Sequence, residues 1–304
     1  MAQRRLLSTR SPRPSRPVSD RRRVVVTCIG LLALGLLLTG ASRTAISLAA
    51  DRVELAVDAS KAGARINRNI FGQFAEHLGS GIYEGVWVGP NSPIPNTRGI
   101  RNDVVAALKA LRVPNVRWPG GCFADDYHWR KGIGPADGRP VTLNPSWGGV
   151  TESNAFGSHE FMDFLGQIGS EAFLSVNVGS GTPQEAAEWL EYLTIAQPTA
   201  LGKERAANGH AAPYKVLFLG IGNESWDCGG NMTPDYYVSQ MKVYSRFVRN
   251  FNPAQERSDQ MLKIAVGPGG GEPRFAEWIP MRRSMSSVDC RISAYSVSPN
   301  PTDL

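Results

Sequence analysis

The chain has 304 residues, 42% hydrophobic and 20% charged, enough to bury a sizeable core. Its net charge of +6 is an effect of residues 1–50, where nine arginines face a single acid, Asp20; residues 51–304 hold 24 basic and 26 acidic residues, a net of −2. The basicity therefore gives no reason to expect a nucleic-acid partner.

Residues 1–50 read as an export leader. A basic stretch ends in Arg21-Arg22-Arg23, the apolar run VVVTCIGLLALGLLLTG follows, and the small residues of AISLAA precede Asp51. The arginine run permits twin-arginine export. An uncleaved anchor competes with cleavage, because the run matches the shortest membrane-spanning helices. Either way the expected location is periplasmic or secreted, with a membrane touched only through the leader.

From there strand-like and helix-like segments alternate. NIFGQFAEH (69–77) begins as a strand, and DVVAALKALR (103–112) sets Val104, Val105, Leu108 and Leu111 on one helical face. VPNVRW (113–118) is a strand closed by Pro-Gly-Gly. SHEFMDFLGQIG (158–169) is a helix with Ser158 as N-cap and Phe161, Phe164, Leu165 and Ile168 as its stripe. AFLSVNVG (172–179) alternates as a strand does. TPQEAAEWLEYL (182–193) opens with a capping threonine and a proline, as does the longer TPDYYVSQMKVYSRFVRNF (233–251). Between these lies the strand YKVLFLGIG (214–222). LKIAVG (262–267) is a further strand, RFAEWIPMRRSM (274–285) a helix, and CRISAYSV (290–297) the last strand.

About six strands alternating with about five helices imply an α/β protein with a parallel sheet, either a closed (β/α)8 TIM barrel or an open doubly wound sheet. The polar strand ends favour the barrel. Glu76, Arg117-Trp118 and Asn223-Glu224 all follow or end apolar runs, and a barrel gathers such ends on its C-terminal rim, where active sites form. No GxGxxG follows the first strand, no GxxxxGK[ST] occurs, and GPGGGEP (267–273) lacks the lysine and hydroxyl of a phosphate loop.

Cysteine and histidine spacing suggests no metal and no other cofactor. Beyond Cys28, the residues Cys122, Cys228 and Cys290 form no CxxC, and His77, His128, His159 and His210 form no ligand motif. A Cys122–Cys228 bridge is conceivable in an exported chain, but free buried thiols are the favoured reading.

The stretch LFLGIGNESWDCGG (217–230) carries an amide and a carboxylate to the end of a core strand. A rigid, partly desolvated Glu224 would keep its proton near neutral pH and act as a general acid. Asn223 would offer an uncharged donor to a substrate hydroxyl. A solvated loop glutamate is the competing reading.

GIGNESWDCGG (220–230) resembles the acid/base motif of the α-L-arabinofuranosidases of glycoside hydrolase family 51, retaining enzymes built on a (β/α)8 barrel. Three further stretches are similar in order and spacing: IFGQFAEHLGSGIYEGVWVG (70–89), NVRWPGGCFADDYHWRKGIGP (115–135) and RPVTLNPSWGGVTESNAFGSHEFMDF (139–164). The resemblance implies Glu224 as general acid/base and Asn223 as a hydrogen-bond donor to the furanose. It implies Glu76 as a carboxylate on sugar hydroxyls, Cys122 against the sugar, and Trp147 stacked on the sugar or adjoining chain. Arg117 would lie near the nucleophile or serve as a barrel salt-bridge partner. Trp87, Trp118, Trp129 and Trp226 also fall near presumed rim loops, some of them for packing. The implied partner is an arabinose-containing polysaccharide or oligosaccharide.

The chain also departs from the family. The nucleophile, a second glutamate in an acidic-tryptophan context, has no counterpart after CRISAYSV. Glu256, Glu272 and Glu277 all precede that strand, and only Glu272 falls in a rim loop. Tyr295 stands where the family places a histidine. The expected organisation is therefore a leader over 1–50 and an incomplete barrel over 51–304, with about six of eight strands and without the C-terminal β-sandwich. Raw sheet edges would favour oligomerisation, and the chain as written is expected to be inactive. The alternatives are an endoglucanase-type glycosidase of the same fold and a non-catalytic sugar-binding remnant.

Overall fold

The computed structural model describes residues 58, 60, 61, 63–255, 260–269, 274–279 and 291–293. The leader, Cys290, Glu256, Glu272 and Tyr295 lie outside them. The chain separates into two compact units, residues 1–64 and 65–304. In the first, Ser60 donates its backbone N–H to Asp58 Oδ1 in a turn. The second carries the fold.

Six strands form one sheet: β1 (Gln73–Phe74), β2 (Asn115–Trp118), β3 (Glu171–Val176), β4 (Phe218–Ile221), β5 (Leu262–Val266) and β6 (Arg291–Ser293). They lie side by side in chain order, each parallel to the next. A doubly wound sheet reverses its strand order at a switch point; no reversal occurs among the described strands. The arrangement is that of six successive strands of a (β/α) barrel. Every residue of β2 and β4 is buried, as expected of parallel strands covered on both sides.

The helices are α1 (Asn102–Ala110), α2 (Ser158–Ile168), α3 (Pro183–Thr194), α4 (Ala200–Ala207), α5 (Pro234–Phe247) and α6 (Arg274–Trp278). The two Thr-Pro starts behave as their sequence demands. Thr182 Oγ1 accepts from Glu185 N and Thr233 Oγ1 from Tyr236 N, while each following proline occupies a position whose N–H has no helical partner. Phe161, Phe164, Leu165 and Ile168 of α2 are buried, and Phe161 stacks on Trp118 at 4.9 Å between ring centroids.

Several local expectations are corrected. The strand expected from residue 69 shrinks to Gln73–Phe74, because Arg68–Phe71 forms a 3-10 turn capped by Asn67. Ser158 is the first residue of α2 rather than its cap: Glu160 reaches back to Gly157 N, and the Ser158 hydroxyl accepts from Trp189 Nε1 instead. Leu111 lies beyond the end of α1 and is 70% exposed. Helix α4 and the antiparallel pair Thr142–Asn144 with Val150–Glu152 were not anticipated. The helix α4 is weakly amphipathic and carries a glycine at Gly202, so periodicity does not announce it, although Thr199 caps it.

Arg205, on α4, is only 1% exposed. Its guanidinium donates to the carbonyls of Tyr192, Ile195, His210 and Ala211. These bonds fasten the end of α3 to the segment that leads into β4.

Candidate active site

The core strand β4 ends at Ile221, and Gly222 turns the chain with φ 83°. Asn223 and Glu224 follow. Glu224 has φ 37°, in the left-handed region that a glutamate seldom adopts. A tight turn holds it there: its carbonyl accepts from Asp227 N at 2.7 Å and Gly229 N at 3.1 Å. Position 229 must be glycine, since a Cβ would stand 1.7 Å from the Asn223 carbonyl oxygen. Upstream, Asp125 Oδ2 accepts from Asn223 N, and Asp125 Oδ1 accepts from Val178 N and Gly179 N beyond β3. One buried carboxylate thus ties the ends of two neighbouring strands to the segment after β2.

The Arg117 side chain, from β2, donates through Nη2 to Asn223 Oδ1 at 2.6 Å and to the Gly120 carbonyl. A guanidinium only donates, so it fixes the amide oxygen toward itself and leaves Asn223 Nδ2 as the outward donor. The same guanidinium lies over the Phe74 ring, 4.6 Å from its centroid. Glu76, which follows β1, accepts from Gly121 N at 2.8 Å and Phe123 N at 3.1 Å, both at Oε1. Gly120, with φ 142°, allows this approach, because a Cβ there would meet Glu76 Cγ at 2.4 Å.

Glu76, Arg117, Cys122, Trp147, Asn223 and Glu224 all line one open cavity of about 400 Å³, with Phe74, Leu78 and Gly121. All six residues singled out from sequence therefore come together at the strand ends. Burial pushes the Glu224 carboxyl above its ordinary value, and Asp227 and Glu76 add to the rise, while Arg117 opposes it. Trp118 and Trp129 are core side chains, 0% and 2% exposed. Glu277 is exposed on α6 and does not line the cavity.

Behind the cavity lies a set of residues that sequence reading missed. Trp118 Nε1 donates to His77 Nε2, so the ring proton resides on Nδ1, which donates to Glu152 Oε2 at 2.9 Å. Glu152 also accepts from the Tyr83 hydroxyl and Asn154 N. Burial raises its pKa, but these hydrogen bonds outweigh it and hold the carboxyl below its usual range. The His77 carbonyl accepts from Asn144 Nδ2, whose Oδ1 accepts from Trp147 N and so sets the Trp147 loop.

Cys122 and Cys228 form a disulfide, with Cα atoms 5.5 Å apart. This corrects the expectation of free buried thiols. The two residues are separated by 106 positions, and sequence spacing is blind to a meeting made by adjacent strand ends.

Asp125 also sets a pH dependence. Burial pushes its carboxyl from 3.8 up to about 7, against three backbone N–H donors that lower it. The folded chain then holds a proton that the unfolded chain has released between those values. Stability from this group is therefore greatest at low pH and is lost as pH rises toward 7. Thermal unfolding followed between about pH 5 and pH 7 should show the melting temperature falling as pH rises, and Asp125→Asn should flatten that slope. An unchanged slope in the variant would remove Asp125 as its source.

Residues 107–273, more than half the chain, match the family described as the alpha-L-arabinofuranosidase 1 domain. The chain is 48% identical over 223 residues to an intracellular exo-α-L-arabinofuranosidase of Bacteroides ovatus, covering 73% of this chain and 42% of that protein. The solved family 51 arabinofuranosidase of Xanthomonas axonopodis pv. citri superposes with a TM-score of 0.69 at 53% identity, over 74% of this chain and 44% of that one. An arabinose complex of the Thermotoga maritima α-L-arabinofuranosidase gives 0.61 at 43% identity, over 66% and 40%. The chain thus spans less than half the length of these relatives. The expectation of a periplasmic or secreted protein is overturned by the Bacteroides relative, whose name places it inside the cell. Among the described residues no helix is long and apolar enough to cross a membrane. A six-strand portion of a barrel, a family match over more than half the chain and a superposition at 53% identity settle the kinship: the chain belongs to the α-L-arabinofuranosidases of glycoside hydrolase family 51.

Proposed function

We propose that the protein hydrolyses terminal α-L-arabinofuranosyl residues of arabinose-containing polysaccharides or oligosaccharides with retention, and that Glu224 is its general acid/base. The observation that carries this reading is the placement of Glu224: a half-buried carboxyl, its proton favoured by desolvation, fixed on a rigid turn at the mouth of a cavity of about 400 Å³. In the first step a carboxylate outside the described residues attacks the anomeric carbon, and Glu224 gives its proton to the leaving oxygen as the glycosidic bond breaks. In the second it takes a proton from the water that releases arabinose. Asn223 Nδ2, held outward by Arg117, donates to a sugar hydroxyl. Glu76, with Oε1 occupied by backbone donors, offers Oε2 to another. The face of Trp147 packs on the sugar.

Retention needs a second carboxylate about 5–5.5 Å from the first. Among the described residues the only other carboxylate lining the cavity is Glu76, whose backbone partners suit a fixed binding group better than a nucleophile. This favours, as a second reading, a site that binds the sugar without turning it over.

Hydrolysis of 4-nitrophenyl α-L-arabinofuranoside by the purified chain, with arabinose binding measured by calorimetry and folding by circular dichroism, separates the readings. Turnover would overturn the inactivity expected from sequence and place the nucleophile outside the described residues. Its alkaline limb of kcat/KM should then be displaced above the ordinary carboxyl value of 4.5, because the acid must be protonated to act. Binding without turnover would establish the second reading. Neither, in a folded sample, would sink both.

A further inference from the structure

The turn that presents Glu224 presents Cys228 beside it. Glu224 Oε2 lies 3.5 Å from Cys228 Sγ and 3.9 Å from Cys122 Sγ. All three donor atoms lie within 4.8 Å of one another. Zinc bonds of about 2.3 Å to sulfur and 2.0–2.2 Å to oxygen, at tetrahedral angles, put sulfur and oxygen ligands about 3.6 Å apart. The carboxylate oxygen already stands near that separation from Cys228 Sγ, at 3.5 Å, and slightly beyond it from Cys122 Sγ, at 3.9 Å. Cys228 is exposed, and Cys122 and Glu224 are partly so, which leaves an entry path from solvent. The backbone on each side is fixed independently of the disulfide: Glu224 and Gly229 by their turn, Cys122 by the bonds of its neighbours Gly121 N and Phe123 N to Glu76. With the Cα atoms 5.5 Å apart, side-chain rotation alone can part the sulfurs while both stay within reach of one ion.

We propose that reduction of the Cys122–Cys228 bond creates a binding site for a soft divalent cation, zinc above magnesium or calcium, with the two thiolates and the Glu224 carboxylate as ligands. Reduction takes two electrons and two protons from a dithiol, which leaves as its own disulfide, and yields two thiols. The cation then displaces both thiol protons, and thiolate donors select borderline and soft ions over hard ones. An ion seated there occupies the oxygen that would otherwise carry the catalytic proton, so the loaded protein is silenced; this consequence rests on the acid/base role proposed above, whereas the binding itself does not.

The test uses the full chain with Cys28→Ser and Cys290→Ser, so that only this pair of cysteines remains. It is reduced with a dithiol and desalted under anaerobic conditions, and circular dichroism confirms that the reduced chain is folded. Equilibrium dialysis with zinc should give one tight ion per reduced chain, and cobalt should give the thiolate-to-metal absorption in the near ultraviolet. Affinity should fall about tenfold or more in the oxidised chain, in Cys228→Ser and in Glu224→Gln. If the chain turns over the arabinofuranoside, zinc should inhibit the reduced form alone and a chelator should restore it. If no form turns over, the functional reading fails while dialysis still decides the site. Equal zinc binding by oxidised chain, reduced chain and Cys228→Ser, or none by the folded reduced chain, overturns the proposal.

Discussion

Glu224→Gln is expected to lower turnover of 4-nitrophenyl α-L-arabinofuranoside by about 10²- to 10⁴-fold, the range a positioned acid/base contributes. Glutamine keeps the volume and the backbone turn, whose bonds run through the Glu224 carbonyl, so folding should be unchanged. The loss should depend on the leaving group. A dinitrophenoxide leaves without a proton, so the first step recovers with that substrate while the second, which needs a base to activate water, stays slow. Azide needs no deprotonation, and it should restore turnover and divert product to the glycosyl azide. A variant with native rates, or a deficit that ignores both leaving group and azide, would remove Glu224 from proton transfer.

The largest loss of stability is expected at Trp118. Its side chain is fully buried, stacked on Phe161, with Nε1 bonded to His77. Trp118→Ala should cost about 3–5 kcal/mol, from lost apolar burial and the cavity left behind. Trp118→Phe keeps most of the ring contact but strands His77 Nε2 as a buried acceptor without its donor, at about 1–3 kcal/mol. Urea unfolding of the two variants separates packing from hydrogen bonding. Equal losses would mean that the indole N–H contributes almost everything. Because His77 adjoins Glu76 and its carbonyl holds Asn144, the phenylalanine variant should also bind arabinose more weakly than the parent.

What sequence could reveal here follows from how local each signal is. The Thr182-Pro183 and Thr233-Pro234 starts were legible because cap and first turn lie within three residues of each other. The strand ends at Arg117 and Asn223-Glu224 were legible because a polar residue interrupts an apolar run at one point in the chain. The parts that hold those residues were not legible. Asp125 meets Asn223 across 98 positions, His77 meets Glu152 across 75, and Cys122 meets Cys228 across 106. Nothing near Asp125 in sequence distinguishes it from Asp126, which instead accepts from the Ser146 hydroxyl. The family resemblance named side chains that would face a sugar, and it left unnamed those that only hold them still. Short irregular pieces, such as the 3-10 turn at Arg68–Phe71, were lost because the run Asn69–His77 begins with the same apolar residues as a strand.

Arg205 has a consequence in concentrated electrolyte. Its four acceptors are carbonyl oxygens, which neither titrate nor attract a screening cloud of cations as a carboxylate would. Surface pairs such as Arg98–Asp163 and Lys215–Glu171 weaken as ionic strength rises. The Arg205 bonds at the corner that feeds β4 are not such a pair, although Lys215–Glu171, in the same segment, is. In strong brine the ion pairs of the outer face should slacken well before these carbonyl bonds do.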